Sequence, residues 1–352
     1  MSSTLLELPG RRVLRAGPVS AVVPVRTVVV TVLALLATVA VGVLAVGRGD
    51  FPMTPQTVWE VATGGGTRIE RHILLNLRLP RVLCGLLAGA ALAVAGALTQ
   101  TFARNPLASP DVLGVTFGAS AGAVTAIVLG GVTGAVGVPL AALAGALLSA
   151  AVIYLLAWRQ GIDGYRLVLI GLGAGQLLAG YTSWVLLRAE QVDLTRANIW
   201  LSGSLAGRDW THVRPLAAAL LVLLPAALAV TVALRVLQFG EDTARGLGLR
   251  LQTAQLGVVV VAAALAAAAV ASAGPIEFVA FVVPQIALRL CGGSRPPLVA
   301  SAVFGALLVV GCDLLARIVI APAELPVGLV TAMVGTPYLL WLLLRRSRRT
   351  SA

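Results

Sequence analysis

The sequence predicts an all-α, polytopic membrane protein, and three observations lead there. Of its 352 residues, 59% are hydrophobic and only 11% are charged, against roughly 25% charged in an ordinary soluble domain. Mean hydropathy is +0.97. The apolar residues gather in runs of about 20, the length that carries a helix through the hydrocarbon of a bilayer. A soluble globule of this size has too little interior for so much apolar surface. Disordered chains, nucleic-acid binders, disulfide scaffolds and cytosolic enzymes are excluded together.

Taken in order, spans are expected at 27–47, 82–103, 112–132, 135–158, 167–187, 213–236, 255–273, 276–292, 297–320 and 325–344. Residues 1–26 precede them as a tail, 27–344 form one transmembrane domain, and 345–352 are a second tail. Arg11, Arg12 and Arg15 before the first run resemble the start of a secretory signal. The run is full span length and has no clear small-residue cleavage site, so it is expected to stay as a helix. The eighth run is short and carries Glu277, Pro284 and Arg289. An even number of spans puts both termini on one side. The arginines are more numerous in the segments on that side, which places both termini in the cytoplasm.

Three stretches are too polar for lipid. Residues 48–80 form a long outer loop, and 189–212 form another with an amphipathic piece around Asp193, Ala197, Trp200 and Leu201. The inner stretch 239–254 holds Glu241, Asp242, Arg245 and Arg250, and its glycines divide it into two short surface helices.

The charged residues speak to energy coupling. All 26 basic residues are Arg, so the chain lacks the Lys that a P-loop extends to nucleotide phosphates. His72 and His212 fall in loops or at a span edge, and the embedded acids Glu277 and Asp313 lie near helix ends. Asp313 and Arg317 stand i,i+4 and can neutralise each other. A proton-coupled carrier, the main alternative class, is short of embedded titratable groups. A membrane-embedded enzyme would need clustered His, Asp or Glu, and no such spacing occurs. A solute mover of this kind takes its energy from a partner, and 239–254 is the expected docking surface. Cys84, Cys291 and Cys312 lie in apolar runs without metal-ligand spacing and read as core residues.

Four segments carry a resemblance: Leu77-Arg78-Leu79-Pro80-Arg81; Arg104-Asn105-Pro106-Leu107-Ala108-Ser109-Pro110-Asp111-Val112-Leu113-Gly114; Gly274-Pro275-Ile276-Glu277-Phe278-Val279-Ala280; and Ala323-Glu324-Leu325-Pro326-Val327-Gly328-Leu329-Val330-Thr331. In this order they resemble the FecCD-type (BtuC-like) permeases of bacterial ABC importers for iron–siderophore complexes, cobalamin and haem. The stretch from Leu156 to Leu167 looks most like the ferric-enterobactin branch. The resemblance implies a type II ABC importer permease with ten helices, spans 2–5 and 7–10 forming an inverted repeat. It implies a second permease subunit (a different chain in the enterobactin-like branch), two cytoplasmic ATP-binding subunits and an extracytoplasmic substrate-binding protein. The chain would then sit in the bacterial cytoplasmic membrane, hold no cofactor or metal of its own, and leave ATP to the partner. Ferric siderophore is the implied cargo, with haem or cobalamin as alternatives.

By the same resemblance, Arg78 and Arg81, with Arg317 as a third, receive carboxylates of the binding protein. Gly240, Glu241, Asp242, Ala244, Arg245, Leu247 and Gly248 engage the ATPase. Spans five and ten line the path through Gly171, Gly175, Gln176, Gly180, Thr182, Gly328, Thr331 and Gly335, although small residues also serve close helix packing. One departure stands out: Gln285 follows Pro284 where the family usually has His.

Overall fold

The computed structural model describes residues 11–16, 19–49, 51, 53–132, 134, 136–158, 164–237, 240–320 and 323–350. Ahead of the bundle, β1 (Arg11–Ala16) and β2 (Val19–Pro24) pair antiparallel. The rest of the described chain is helical: α1 (Val25–Gly47), α2 (Pro55–Ala62), α3 (Arg68–His72), α4 (Leu79–Phe102), α5 (Val115–Val128), α6 (Gly137–Ala157), α7 (Gly164–Leu186), α8 (Gln191–Leu201), α9 (Trp210–Leu237), α10 (Glu241–Gly246), α11 (Leu251–Ala273), α12 (Val279–Cys291), α13 (Leu298–Ile318) and α14 (Val327–Thr350). Among the described residues, seven helices are long and apolar enough to cross a membrane. Three shorter apolar ones, at Val115–Val128, Val279–Cys291 and Val327–Trp341, complete the ten expected spans.

Several boundaries differ from the sequence reading, each for a local reason. The 48–80 stretch is not a simple loop. After α2, a capping box (Thr67 with Glu70) starts α3, and the helix continues through a π-turn at Ile73–Arg78 into α4. Pro80 lacks the N–H that an α-turn would use there, and a wider turn absorbs the gap. The 239–254 stretch holds one surface helix, α10. Gly248 at φ 81° ends it, and the rest turns into α11, which is already a span. The C-terminal stretch through Thr350 continues α14 rather than leaving it.

The core is built on α4 and α11, whose most apolar stretches are 78% buried. Both pack on each other, and α4 packs most extensively on α13. Gly89 of α4 and Gly305 of α13 meet backbone to backbone, so that a Cβ at either would fall about 2.3 Å (Gly89) or 2.2 Å (Gly305) from the opposite carbonyl oxygen. Such contact gives van der Waals adhesion where lipid supplies no hydrophobic drive between helices. Cys84, Cys291 and Cys312 are buried and free.

An internal repeat is visible in the backbone. The short helices α5 and α12 each follow a left-handed residue, Gly114 at φ 68° and Phe278 at φ 65°. Each comes just after one of the two central helices, α4 and α11. Contacts between helix termini sort the bundle into two ends. At one, Arg26 donates to the Leu290 carbonyl and Arg104 to the Leu237 carbonyl, so the start of α1 meets the end of α12 and the end of α4 meets the end of α9. This α10 end also holds both ends of the described chain. At the other, the α8 end, the Trp210 indole donates to the Leu75 carbonyl.

Candidate functional site

At the α8 end the arginines expected to receive carboxylates are engaged within the chain. Arg78, 8% exposed, donates to the carbonyls of Val46, Gly47 and Phe51, closing the end of α1 onto the start of α4. Such carbonyls are left without intrahelical partners at any helix C-terminus. Arg81 donates to Asp313 Oδ1 through Nε at 3.1 Å and Nη2 at 2.9 Å, and to both Glu324 carboxylate oxygens through Nη1. Arg317 sits 2.9 Å from Asp313 Oδ2 and also donates to the Ala45 carbonyl. The i,i+4 pair read from the sequence is therefore present, and Arg81 extends it to α4.

Exposure separates the four members. The side chains of Asp313, Arg317 and Arg81 are 2%, 7% and 13% exposed, while Glu324 is 40% exposed. Three charges are locked by burial, and the fourth faces solvent. Glu324 in this role was missed in the sequence, where it stands in a loop far from Arg81. Nearby, hydrogen bonds from Thr211 and His212 hold the Asp209 carboxyl down at about 2.

The candidate path residues divide by face. Gly171 packs against the Val112 carbonyl and Gly175 against the Phe117 ring, and Thr182 is buried. On α14, Gly328 abuts Ser202 and Pro275, Gly335 abuts Phe278, and the buried Thr331 hydroxyl donates to the Gly328 carbonyl. These six seat their helices against the rest of the bundle. Gln176 and Gly180 lie on the open face of α7, with Gly173 and Ser183. Thr336 lies on the open face of α14, beside Leu329, Met333 and Leu340. By contrast, α9 exposes only Ala218, Leu221, Val222, Pro225, Leu228, Ala229 and Val232 through its middle. A wholly apolar face suits lipid. A face interrupted by an amide, hydroxyls and glycines suits a wetter neighbour. The hydroxyls of Ser183 and Thr336 bond back to their own helices, so neither face offers a strong ligand.

At the α10 end, Ala244 is fully buried and anchors its short helix, while Leu247 stands 66% exposed beside the Asp242–Arg245 pair. Gly240 at φ 100° and Gly248 at φ 81° shape the turns on either side. Glu241 begins the helix.

Gln285 has a definite place. Its Nε2 donates to Gln100 Oε1 at 2.7 Å in a buried pair, and Gln100 Nε2 donates to the Phe281 carbonyl at 2.8 Å. The two carboxamides clamp α12 to α4. The signal available in the sequence was a pair of glutamines inside apolar runs, where each needs a partner. Residues 159–163, the centre of the enterobactin-like stretch, lie outside the described residues.

The model of the FecCD transport family matches residues 34–345. The chain belongs to that family. It is 39% identical over 324 residues to the ferric enterobactin transport system permease protein FepG of Escherichia coli K12, covering 92% of this chain and 98% of FepG. It is 38% identical over 334 residues to the achromobactin transport system permease protein CbrC of Dickeya dadantii 3937, covering 94% and 96% of the two chains. The Fe(3+) dicitrate transport system permease protein FecD of E. coli K12 is 40% identical over 275 residues, covering 78% and 86%. In fold it resembles an inward-facing ABC transporter of the metal-chelate type at a TM-score of 0.79 and 24% identity, over 90% of this chain and 99% of that one. The protein is a multi-pass membrane permease subunit of an ABC transporter and not itself an enzyme.

Proposed function

We propose that this permease imports ferric siderophores of the catecholate, enterobactin-like class across the bacterial cytoplasmic membrane, with both chain termini in the cytoplasm. The observation that carries the reading is the open wall of α7 and α14, where Gln176, Gly180 and Thr336 break up large apolar side chains such as Leu172, Leu177 and Met333 and no strong ligand stands among the described residues. A wall of that kind lets a bulky chelate pass without trapping it. A siderophore already satisfies the coordination of its iron, so the permease need supply no metal ligand. FepG, with its named cargo, suggests the enterobactin-like class.

The wall is half of a path, and a second, different permease subunit completes it. Two cytoplasmic ATPase subunits supply the energy, engaging α10 through exposed Leu247, Asp242 and Arg245 around the Ala244 anchor. At the opposite end an extracytoplasmic binding protein delivers cargo. Its carboxylate reaches Arg81 by displacing Glu324, the only solvent-facing member of that ion cluster. Arg78 and Arg317 hold the receiving surface in shape.

Uptake of labelled ferric enterobactin in a strain lacking this gene tests the reading. The wild-type gene restores uptake, and unlabelled haem or cobalamin does not compete. Leu247→Asp leaves the subunit in the membrane but abolishes uptake. Competition by haem or cobalamin overturns the cargo, and wild-type uptake by Leu247→Asp overturns the role of α10.

A further inference from the structure

A cavity of about 450 Å³ opens at the α10 end between the turn after α4 and the turn after α12. Its walls include Gln100, Arg104, Gln285, Arg289, Ser294 and Arg295. Three guanidiniums thus converge, and among the described residues its lining holds no carboxylate. This volume falls within the roughly 300–1,000 Å³ of small-ligand sites.

The three arginines are not equally committed. Arg104 gives one N–H to the Leu237 carbonyl, and Arg289 stacks over Trp341 with its guanidinium carbon 4.9 Å from the ring centroid. Arg295 is half-buried, and its Nη1 has no hydrogen-bond partner. Burial and the nearby positive charge of Arg235 both push the Arg295 guanidinium down. A buried donor left unmade is costly, and like charges crowded together add to the cost. An anion in the cavity relieves the crowding of charge, and a turn of the Arg295 side chain toward it gives the unmade donor a partner. Beneath the arginines, the Gln285–Gln100 pair forms a polar base.

We propose that this cavity binds an anionic phosphate group, held by Arg295 and Arg289 with Arg104 behind them. Guanidinium matches phosphate in a two-pronged geometry. The cavity lies at the helix ends beside Trp341 and Tyr338, the depth at which aromatic residues and phospholipid headgroups meet. Basic pockets between helix ends are where anionic headgroups lodge. The phosphate comes either from an anionic lipid or from free inorganic phosphate.

The purified full-length subunit separates the two sources. Native mass spectrometry after exchange into mixed phosphatidylglycerol–phosphatidylcholine micelles reads lipid retention. A thermal-unfolding titration with sodium phosphate, against sodium chloride of equal ionic strength, reads the free ion. The lipid source gives preferential retention of phosphatidylglycerol that falls about fivefold in Arg295→Gln, as one guanidinium at a membrane surface implies. Arg68→Gln, at the exposed start of α3 at the far end, retains it as wild type does. A free-phosphate source gives a phosphate-specific rise in unfolding temperature, lost in Arg295→Gln, with no lipid preference. Should Arg295→Gln fail to fold, Arg289→Gln repeats the test. No preference for phosphatidylglycerol together with no phosphate-specific shift overturns the proposal, as does equal retention in wild type and variant.

Discussion

The two ends of the bundle use the same residue type in opposite ways. At the α8 end, Arg81 and Arg317 close on Asp313 and Glu324, so two cations meet two anions in one network. At the α10 end, Arg104, Arg289 and Arg295 converge on a cavity whose described lining has no carboxylate. An arginine is a rivet where acids and carbonyls surround it, and an open receptor where they are absent. Counting arginines along the chain cannot tell these apart. For Arg81 the acids that decide the matter come from a helix and a loop more than two hundred residues away, since Asp313 and Glu324 stand 232 and 243 residues from it.

The sharpest way to break this contrast is Asp313→Asn. It leaves two guanidiniums facing each other in a nearly dry site, and removal of one partner from a buried ion network costs about 3–5 kcal/mol. A large fall in the thermal-unfolding midpoint of the purified subunit is expected, and an unchanged midpoint would show that the network is not structural. Next in size is Gln285→Leu at the opposite end. It strands Gln100 Oε1 in the interior, for a loss of about 1–3 kcal/mol, while Gln285→Glu in its protonated form keeps a donor and recovers part of it. If Leu is tolerated fully, the clamp between α12 and α4 does not exist as described. The smallest effect is expected from Glu324→Gln, because a largely solvated partner contributes about 0–1 kcal/mol. Its midpoint should match wild type closely. A fall as large as that of Asp313→Asn would place Glu324 among the locked charges and remove the idea that it can be exchanged.

The helices were largely legible, because a span must be long and apolar to exist in lipid at all. Where the reading slipped, a backbone detail was responsible. The eighth span starts at Val279 rather than near 276, since Gly274 at φ 77° and Phe278 at φ 65° bend the chain first. Asp313 with Arg317 was legible from i,i+4 spacing alone. The use of Arg78 was not, because carbonyl acceptors leave no mark in a sequence. The glycines of α7 and α14 were ambiguous for a related reason. Gly171 and Gly180 look alike in the sequence, yet one presses on the Val112 carbonyl and the other has open space beside it. Only neighbouring helices distinguish a packing glycine from one on an open wall.

The glycine seam between α4 and α13 has a mechanical meaning. Backbones in contact leave no slack for sliding or tilting without collision, and α4 and α11 are the most enclosed of the seven long apolar helices among the described residues. The apolar stretch of α7, by contrast, is only 22% buried. The molecule is thus built like a door on a post: the axis is stiff, and whatever swings must be hung at the rim.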